Sequence, residues 1–142
     1  MILELIATLC AALFAGAAVY INLVEHPARM SLGSGAALAE WAPSYHRATL
    51  MQAPLALVGA IAAVAAGLTG GGAGWLTGGV LLGAVIPITL IVIFPTNREL
   101  LDPVTAGNPE RAGVLLGRWN RLHAVRSLLS TGALVLFLVL MG

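Results

Sequence analysis

The sequence predicts an all-α integral membrane protein, a four-helix up-down bundle with both termini on the non-cytoplasmic side. Three observations lead to this fold: the composition, the long uncharged stretches, and the one-sided placement of charge. Of the 142 residues, 59% are hydrophobic and only 9% are charged, whereas a soluble domain has about 25% charged residues. The composition excludes a disordered chain, a nucleic-acid-binding protein and an ordinary soluble enzyme. The single cysteine, Cys10, excludes an internal disulfide.

Four membrane spans follow from the uncharged stretches. A helix needs about 20 apolar residues to cross the hydrocarbon core. Residues 5–24 carry no charge, and neither do residues 48–97, a stretch too long for one crossing. The glycine run at 70–72 is expected to break that stretch in two. The last span, 127–140, is short, so its helix is expected to begin upstream. The predicted helices are about 3–26, 45–68, 75–95 and 119–141, with short interfacial helices in 97–118, within a single transmembrane domain of residues 1–142.

Capping patterns predict where the connecting segments begin and end. The segment 27–44 is expected to be a loop, with Ser44 as the N-cap of the second helix. Thr96-x-x-Glu99 has the pattern of a capping box that opens a short helix. Asn108 precedes a proline, which is typical of an N-cap followed by the first helical residue.

The arginines predict the orientation in the membrane. Twelve of the thirteen charged residues lie in or beside the loops between helices 1 and 2 and between helices 3 and 4, and only Glu4 lies elsewhere. The positive-inside rule places these loops in the cytoplasm. We therefore expect a multi-pass protein of the cell (inner) membrane. No basic residue precedes the first span, so we expect that span to be retained and not cleaved as a signal peptide.

Polar residues gather at the charged end of all four helices. Helix 1 ends with a stripe on one face: Asn22, Glu25, His26 and Arg29. Helix 4 begins with another: Trp119, His123, Arg126 and Ser130. Helix 2 aligns Tyr45 with Gln52, and helix 3 delivers Asn97. Polar stripes on apolar helices face their neighbours and not lipid. The sequence thus predicts a polar cluster at the cytoplasmic mouth of the bundle.

Two kinds of chemistry fit this cluster. Histidine suits acid–base work near neutral pH. His26, His123 and Glu25 also match the ligand set of mononuclear iron sites, although adjacent residues diverge by about 100° on a helix. We predict no cofactor, and keep as an alternative a metal ion held by His26 and His123. Trp119 also fits an interfacial aromatic belt, and His46 also fits a solvated helix start.

Four motifs match a known family. They are YINLVEHPAR at 20–29, PSYHR at 43–47, PTNREL at 95–100 and WNRLHAVR at 119–126. In these motifs, and in their order over nearly the whole chain, the sequence resembles the anthrone oxygenase-like family of small four-helix membrane proteins. Its characterised members oxidise a polyketide anthrone to an anthraquinone with dioxygen, without a dissociable cofactor.

The resemblance implies a role for each matching residue. His26 and His123 would be the acid–base residues, and Asn97, Tyr45 and Arg126 would bind or stabilise the enolate oxygen. We count Tyr45 and Asn97 with the two histidines as candidate catalytic residues. Candidate substrate-binding residues are Glu25, Arg29, His46, Arg47, Trp119 and Arg126. His46 is a departure from the family pattern, because the family is associated with a basic residue at this position and not specifically with histidine.

The sequence therefore favours a membrane-embedded oxygenase that acts on an aromatic or polyketide-like substrate. The expected partners are the lipid bilayer, a small hydrophobic aromatic substrate and dioxygen, with no nucleic acid. The sequence leaves a homo-oligomer open. The alternative is a non-catalytic protein, which binds a small ligand or a metal ion or belongs to a membrane complex.

Overall fold

The computed structural model describes residues 1–142, which are helical along almost their whole length. Its helices, in chain order, are α1 (Ile2–Met30), α2 (Ser34–Ala66), α3 (Ala73–Leu100), α4 (Pro103–Ala106) and α5 (Pro109–Met141). All but α4 are long and apolar enough to cross a membrane. The predictions of an all-helical fold and of a multi-pass membrane protein are confirmed.

The four long helices form a bundle in which each packs against two neighbours. Both α1 and α3 pack against α2 and α5. Small residues allow close approach between these helices. At Gly59 of α2, an added Cβ would lie 2.7 Å from Cδ2 of Leu82 in α3 and 2.8 Å from Cβ of Cys10 in α1. Three helices therefore approach one another closely at position 59.

The turn between α2 and α3 lies at the predicted glycine run. Gly70 and Gly72 have φ angles of 111° and 85°, which residues with a side chain rarely adopt. The regular part of α2 ends at Ala66. Glycine thus separates the two halves of the long uncharged stretch.

The second helix begins earlier than the sequence predicted. It begins at Ser34 and continues through Pro43, so the prediction of a loop over 27–44 with Ser44 as N-cap was wrong. Ser44 lies inside α2, and its hydroxyl donates to Glu25. The reason is packing: Ala37, Leu38 and Trp41 bury one face of this segment in a hydrophobic cluster. That burial stabilises the helix despite the hydrogen bond that Pro43 removes.

The segment between α3 and α5 also differs in part from the prediction. The capping box at Thr96 was wrong, because α3 continues to Leu100 and the Thr96 side chain is buried within it. Asp102 instead caps the short α4, and accepts from the amide of Val104. The N-cap at Asn108 is confirmed, since its Oδ1 accepts from the amide of Arg111 at 3.0 Å. From there α5 continues unbroken to Met141, longer than the predicted 119–141.

Two hydrophobic clusters divide the interior of the bundle. The first, built on Phe14, Leu82 and Phe137, contains only residues from the apolar parts of the four long helices. The second, built on Trp41 and Trp119, lies toward the charged ends. In α5, the residues between Trp119 and Ala133 include His123 and Arg126. A layer of polar residues that includes these two, called the polar layer below, therefore separates the two clusters. It is enclosed by the bundle and does not lie at its open mouth.

Candidate functional site

Three helices contribute the polar layer. Asn22 comes from α1, Gln52 from α2, and His123, Arg126 and Ser127 from α5. Asn22 lies in a π-helical turn, Ile21–Glu25, a distortion that is common at functional sites. The spacing of His123, Arg126 and Ser127 puts all three on one face of α5. Gln52 and His123 are 2% and 1% exposed.

His123 belongs to a hydrogen-bonded group with Asn22 and Ser127. Its Nδ1 lies 3.0 Å from Oδ1 of Asn22, and the Ser127 hydroxyl donates to the same oxygen at 2.5 Å. The Nδ2 of Asn22 donates to the main-chain carbonyl of Asn120 at 3.0 Å and to its Oδ1 at 2.7 Å. The imidazole is therefore held by two helices, and its Nε2 makes no hydrogen bond within the protein.

Arg126 is a cation without an acidic partner. Its Nη2 donates to Oε1 of Gln52 at 2.7 Å, and its Cζ lies 5.2 Å from the centre of the Phe14 ring. No carboxylate lies within 4.0 Å of it. Its Nε and the Nε2 of Gln52 are buried without a hydrogen-bond partner. Buried polar groups in proteins are normally paired, so these two donors are unsatisfied within the protein.

Arg29 differs from Arg126 because its charge is balanced. It is 4% exposed and forms ion pairs with Glu25 and, at 2.6 Å from its Nε, with Glu40. Ser44 donates to the same Glu25 carboxylate at 2.6 Å. This group links α1 to the early part of α2, so its first role is structural.

Aromatic rings cover the polar layer on its charged side. Trp119 has its ring centre 4.8 Å from that of His123, 6.0 Å from that of His26 and 5.7 Å from that of Trp41. Trp41 in turn stacks on Tyr45 at 5.0 Å. Trp119 and Trp41 are nearly or fully buried, so in this structure they wall the site and are not an exposed belt.

Three neighbouring spaces adjoin the layer. The first, here the small cavity, has a volume of about 20 Å³ and is lined by residues that include Tyr45, Trp119, His123 and Arg126. The second, here the apolar pocket, has about 270 Å³. The third, here the outer groove, has about 560 Å³ and lies between α1 and α2. Gln52 lines all three spaces. The small cavity has room for about one water-sized molecule.

The apolar pocket has the composition of a ligand site. Most of its lining is hydrophobic, and its polar groups are Tyr45, Thr49, Gln52, Thr89 and Arg126. Its size is close to the lower end of the range for small-molecule sites, about 300–1,000 Å³. Leu90 and Phe94, which also line it, are 62% and 44% exposed. The pocket therefore reaches the outer surface of the bundle between α2 and α3.

The structure brings some of the candidate residues together and separates others. The small cavity is lined by five of them: Arg29, Tyr45, Trp119, His123 and Arg126. Glu25 and Arg47 line the outer groove. His26 and Asn97 are buried but line none of these three spaces, and His46 is exposed. The ring of His26 contacts that of Trp119.

Other residues of the site were absent from the candidate residues. The sequence places Asn22 and Gln52 only in polar stripes, and Trp41 fits an interfacial aromatic belt better than the wall of a ligand site. Phe14 and Ser127 have no sequence signal for the site. A polar side chain in an uncharged span was the available signal for Asn22 and Gln52. No group of three or more His, Cys, Asp or Glu side chains has an arrangement that could hold a metal ion.

Fold and site together define a small four-span membrane protein with an enclosed His–Arg–amide layer beside an apolar pocket. The sequence model of the anthrone oxygenase family matches residues 41–136. The chain belongs to this family, and the resemblance found in its motifs is confirmed. The matched segment contains Tyr45, Gln52, His123 and Arg126, whereas Asn22 precedes it. No curated protein and no solved structure matches the chain.

Proposed function

We propose that the protein is a membrane-embedded oxygenase that oxidises a hydrophobic aromatic substrate of the anthrone type with dioxygen. One observation carries the proposal: Arg126 presents an unpaired guanidinium where an apolar pocket meets the cavity of His123. A planar aromatic ring system fits the apolar pocket. An oxygen that becomes negative during the reaction is then stabilised by Arg126, in a site of low dielectric where such an interaction is strong.

The proposed reaction needs only substrate, dioxygen and acid–base groups. His123 takes a proton from the CH₂ carbon between the aromatic rings, and the resulting enolate holds its charge at the oxygen beside Arg126. The enolate carbon bonds to dioxygen, and the peroxide that forms takes up a proton. Loss of the second C–H proton, with cleavage of the O–O bond, leaves a ketone and one water. Tyr45 and Gln52 adjoin Arg126 and assist at the oxyanion.

The substrate is proposed to enter from the bilayer. The apolar pocket reaches the surface of the bundle between α2 and α3, and its exposed lining residues Leu90 and Phe94 are hydrophobic. A π-helical segment, Ile88–Ile93, follows Pro87 on this side of the pocket. A substrate dissolved in lipid can therefore reach Arg126 without crossing a layer of water.

We infer an up-down topology with both termini outside and the charged ends of the helices in the cytoplasm of the cell. The positions of the arginines support this orientation through the positive-inside rule. The polar layer then lies below the cytoplasmic surface, covered by Trp41 and Trp119. Labelling of single cysteines introduced at residue 73, which is exposed, and at residue 107, in a Cys10→Ala background, tests the orientation from outside intact cells. Only the first site should react.

Oxygen consumption tests the activity. Purified protein is expected to consume oxygen with emodin anthrone faster than the spontaneous reaction, and His123→Ala is expected to abolish the difference. Arg126→Gln is expected to lower kcat/KM about 10–100-fold, because a hydrogen bond to a charged group contributes about 1.5–3 kcal/mol. Arg118→Gln, an exposed arginine on the same helix, is the matched control and is expected to keep full activity. Equal rates for wild type and His123→Ala would reject the proposal for this substrate.

The unpaired cation also favours a second function, the binding of an aromatic anion without turnover. Arg126 and Gln52 serve this function as well as they serve catalysis. Equilibrium binding of anthraquinone phenolates to wild type, lost in Arg126→Gln and accompanied by no oxygen consumption with any anthrone, would select binding over catalysis.

A further inference from the structure

The hydrogen bonds around Asn22 determine which nitrogen of His123 carries hydrogen. A side-chain amide has one oxygen that accepts and one nitrogen that donates, and its orientation follows from its partners. The main-chain carbonyl of Asn120 only accepts, and it lies 3.0 Å from one end of the Asn22 amide. That end must be Nδ2. The opposite end, which faces His123 and Ser127, must be Oδ1.

An oxygen at this position accepts from the imidazole. The Oδ1 of Asn22 lies 3.0 Å from Nδ1 of His123, so Nδ1 is the nitrogen that donates. A neutral imidazole carries hydrogen on only one nitrogen. The Nε2 of His123 then has a free lone pair, while a protonated ring also keeps hydrogen on Nδ1. Proton exchange at His123 is thereby confined to Nε2.

We propose that Asn22 is a positioning residue that fixes His123 in the Nδ1–H tautomer and makes Nε2 the proton acceptor of the site. The activity part of this inference rests on the proposed function, but the tautomer does not. The π-helical turn at Ile21–Glu25 contributes by carrying Asn22 at the level of His123. Ser127 donates to the same oxygen, while the main-chain carbonyl of Asn120 alone is sufficient to orient the amide.

The surroundings of His123 enter any test that varies pH. From α1, His26 and Arg29 are the titratable and charged groups near the imidazole, and Arg126 is the one on its own helix. Tyr45 of α2 lines the same cavity. The variants below therefore leave all four of these groups unchanged.

Nitrogen NMR of protein labelled with ¹⁵N-histidine reads the tautomer directly. The spectrum is recorded in detergent at alkaline pH, where the imidazole is neutral, and His123 is assigned by the signals that His123→Gln removes. We expect hydrogen on Nδ1 of His123 in the wild type. Asn22→Leu is expected to give a mixture of tautomers, because leucine has a similar volume and accepts no hydrogen bond. The Nε2–H tautomer in the wild type would overturn the proposal.

Two control variants test the reasoning without removing Asn22. Asn120→Ala deletes the side-chain acceptor but keeps the main-chain carbonyl that orients the amide, so the tautomer is expected to stay Nδ1–H. Ser127→Ala is expected to keep it as well. A change of tautomer in either variant would overturn the proposal, even if Asn22→Leu does not fold.

Activity supplies the second readout. Asn22→Leu is expected to lower kcat about 10–100-fold and to leave KM nearly unchanged, since general acid–base catalysis contributes about 10²–10⁴-fold and only its positioning is lost. The pH dependence of kcat is expected to change in Asn22→Leu and not in Ser127→Ala. An Nδ1–H wild type that shows no oxygenase activity would reject the proposed function alone. An active Asn22→Leu with an unchanged pH profile would reject the positioning role.

Discussion

The Nη2 of Arg126 lies 2.7 Å from Oε1 of Gln52, so the hydrogen-bonding partner of this guanidinium is an uncharged amide. An arginine inside a membrane protein normally pairs with an acid or faces water. Here the amide orients the cation without neutralising it. The charge is left for a ligand, and this is the physical basis of the proposed oxyanion site.

Gln52→Glu tests whether the missing counter-charge matters. A carboxylate at position 52 is expected to pair with Arg126 and to repel an anionic intermediate, so kcat/KM should fall at least about tenfold, as expected when a charge-assisted hydrogen bond is lost. Thermal stability should not fall. Gln52→Met, which removes the amide without adding charge, is the control and should have a smaller effect. Oxygen-consumption kinetics compare Gln52→Glu with Gln52→Met. Full activity in Gln52→Glu would show that Arg126 needs no free charge.

Ala53→Phe tests the apolar pocket. Ala53 lines the pocket and is exposed on its outer side, so a phenylalanine there is expected to fill the pocket without disturbing the core. We expect KM for a three-ring anthrone to rise about tenfold, since displacement of a ring system from apolar contact costs about 1–2 kcal/mol. Leu57→Phe, one turn further on the lipid side, is the matched control. Equal KM values in the two variants would place the substrate elsewhere.

The sequence was sufficient for the spans and for part of the site. Uncharged length predicted four helices, and helical spacing placed His123 and Arg126 on one face of α5. Periodicity predicts which residues share one face of a helix, because this depends only on local geometry. The contact of Asn22 with His123 joins residues 101 positions apart, and no local pattern specifies it. The contact of Gln52 with Arg126 joins residues 74 positions apart, and no local pattern specifies it either.

The early part of α2 shows a second limit of sequence analysis. Pro43, with glycines at 33 and 35, is typical of a loop, yet the segment is helical from Ser34. Burial of Trp41 against Trp119 is a tertiary effect, and it outweighs the local preference. His26 contacts Trp119 of the second hydrophobic cluster, and Asn97 is buried outside the three spaces, although their positions in the chain placed both at the same end of the bundle.

Arg29→Met is expected to destabilise the protein. The substitution leaves Glu25, whose side chain is 24% exposed, without its cation, and loss of one partner of a buried pair costs up to about 3–5 kcal/mol. Because both carboxylates are partly exposed, we expect about 1–3 kcal/mol. Arg111→Met breaks the Arg111–Glu99 pair, in which the side chains are 48% and 42% exposed, and is expected to cost less than about 0.5 kcal/mol.

Thermal unfolding in detergent measures this difference, and the double variant Arg29→Met/Glu25→Gln supplies an internal check. Removal of the unpaired Glu25 carboxylate is expected to restore part of the lost stability, because the loss of stability comes from an unpaired charge. A double variant that is less stable than Arg29→Met would instead assign Glu25 a stabilising role of its own, through Ser44.

Gly59→Ala tests a close contact between three helices of the bundle. The added methyl would lie 2.7 Å from Cδ2 of Leu82 and 2.8 Å from Cβ of Cys10. The leucine side chain can rotate away, but Cβ of Cys10 moves only with the backbone of α1. We therefore expect a loss of about 1–3 kcal/mol, as in other overpacked cores. Gly132→Ala adds the same methyl to a helix position with nothing within 4 Å, and should leave stability unchanged or raise it by up to about 1 kcal/mol. Thermal unfolding of both variants is the measurement. Equal stabilities would mean that α1 and α2 can move apart at position 59 without loss of stability. This contact would then not determine the position of Asn22 along the bundle relative to Gln52.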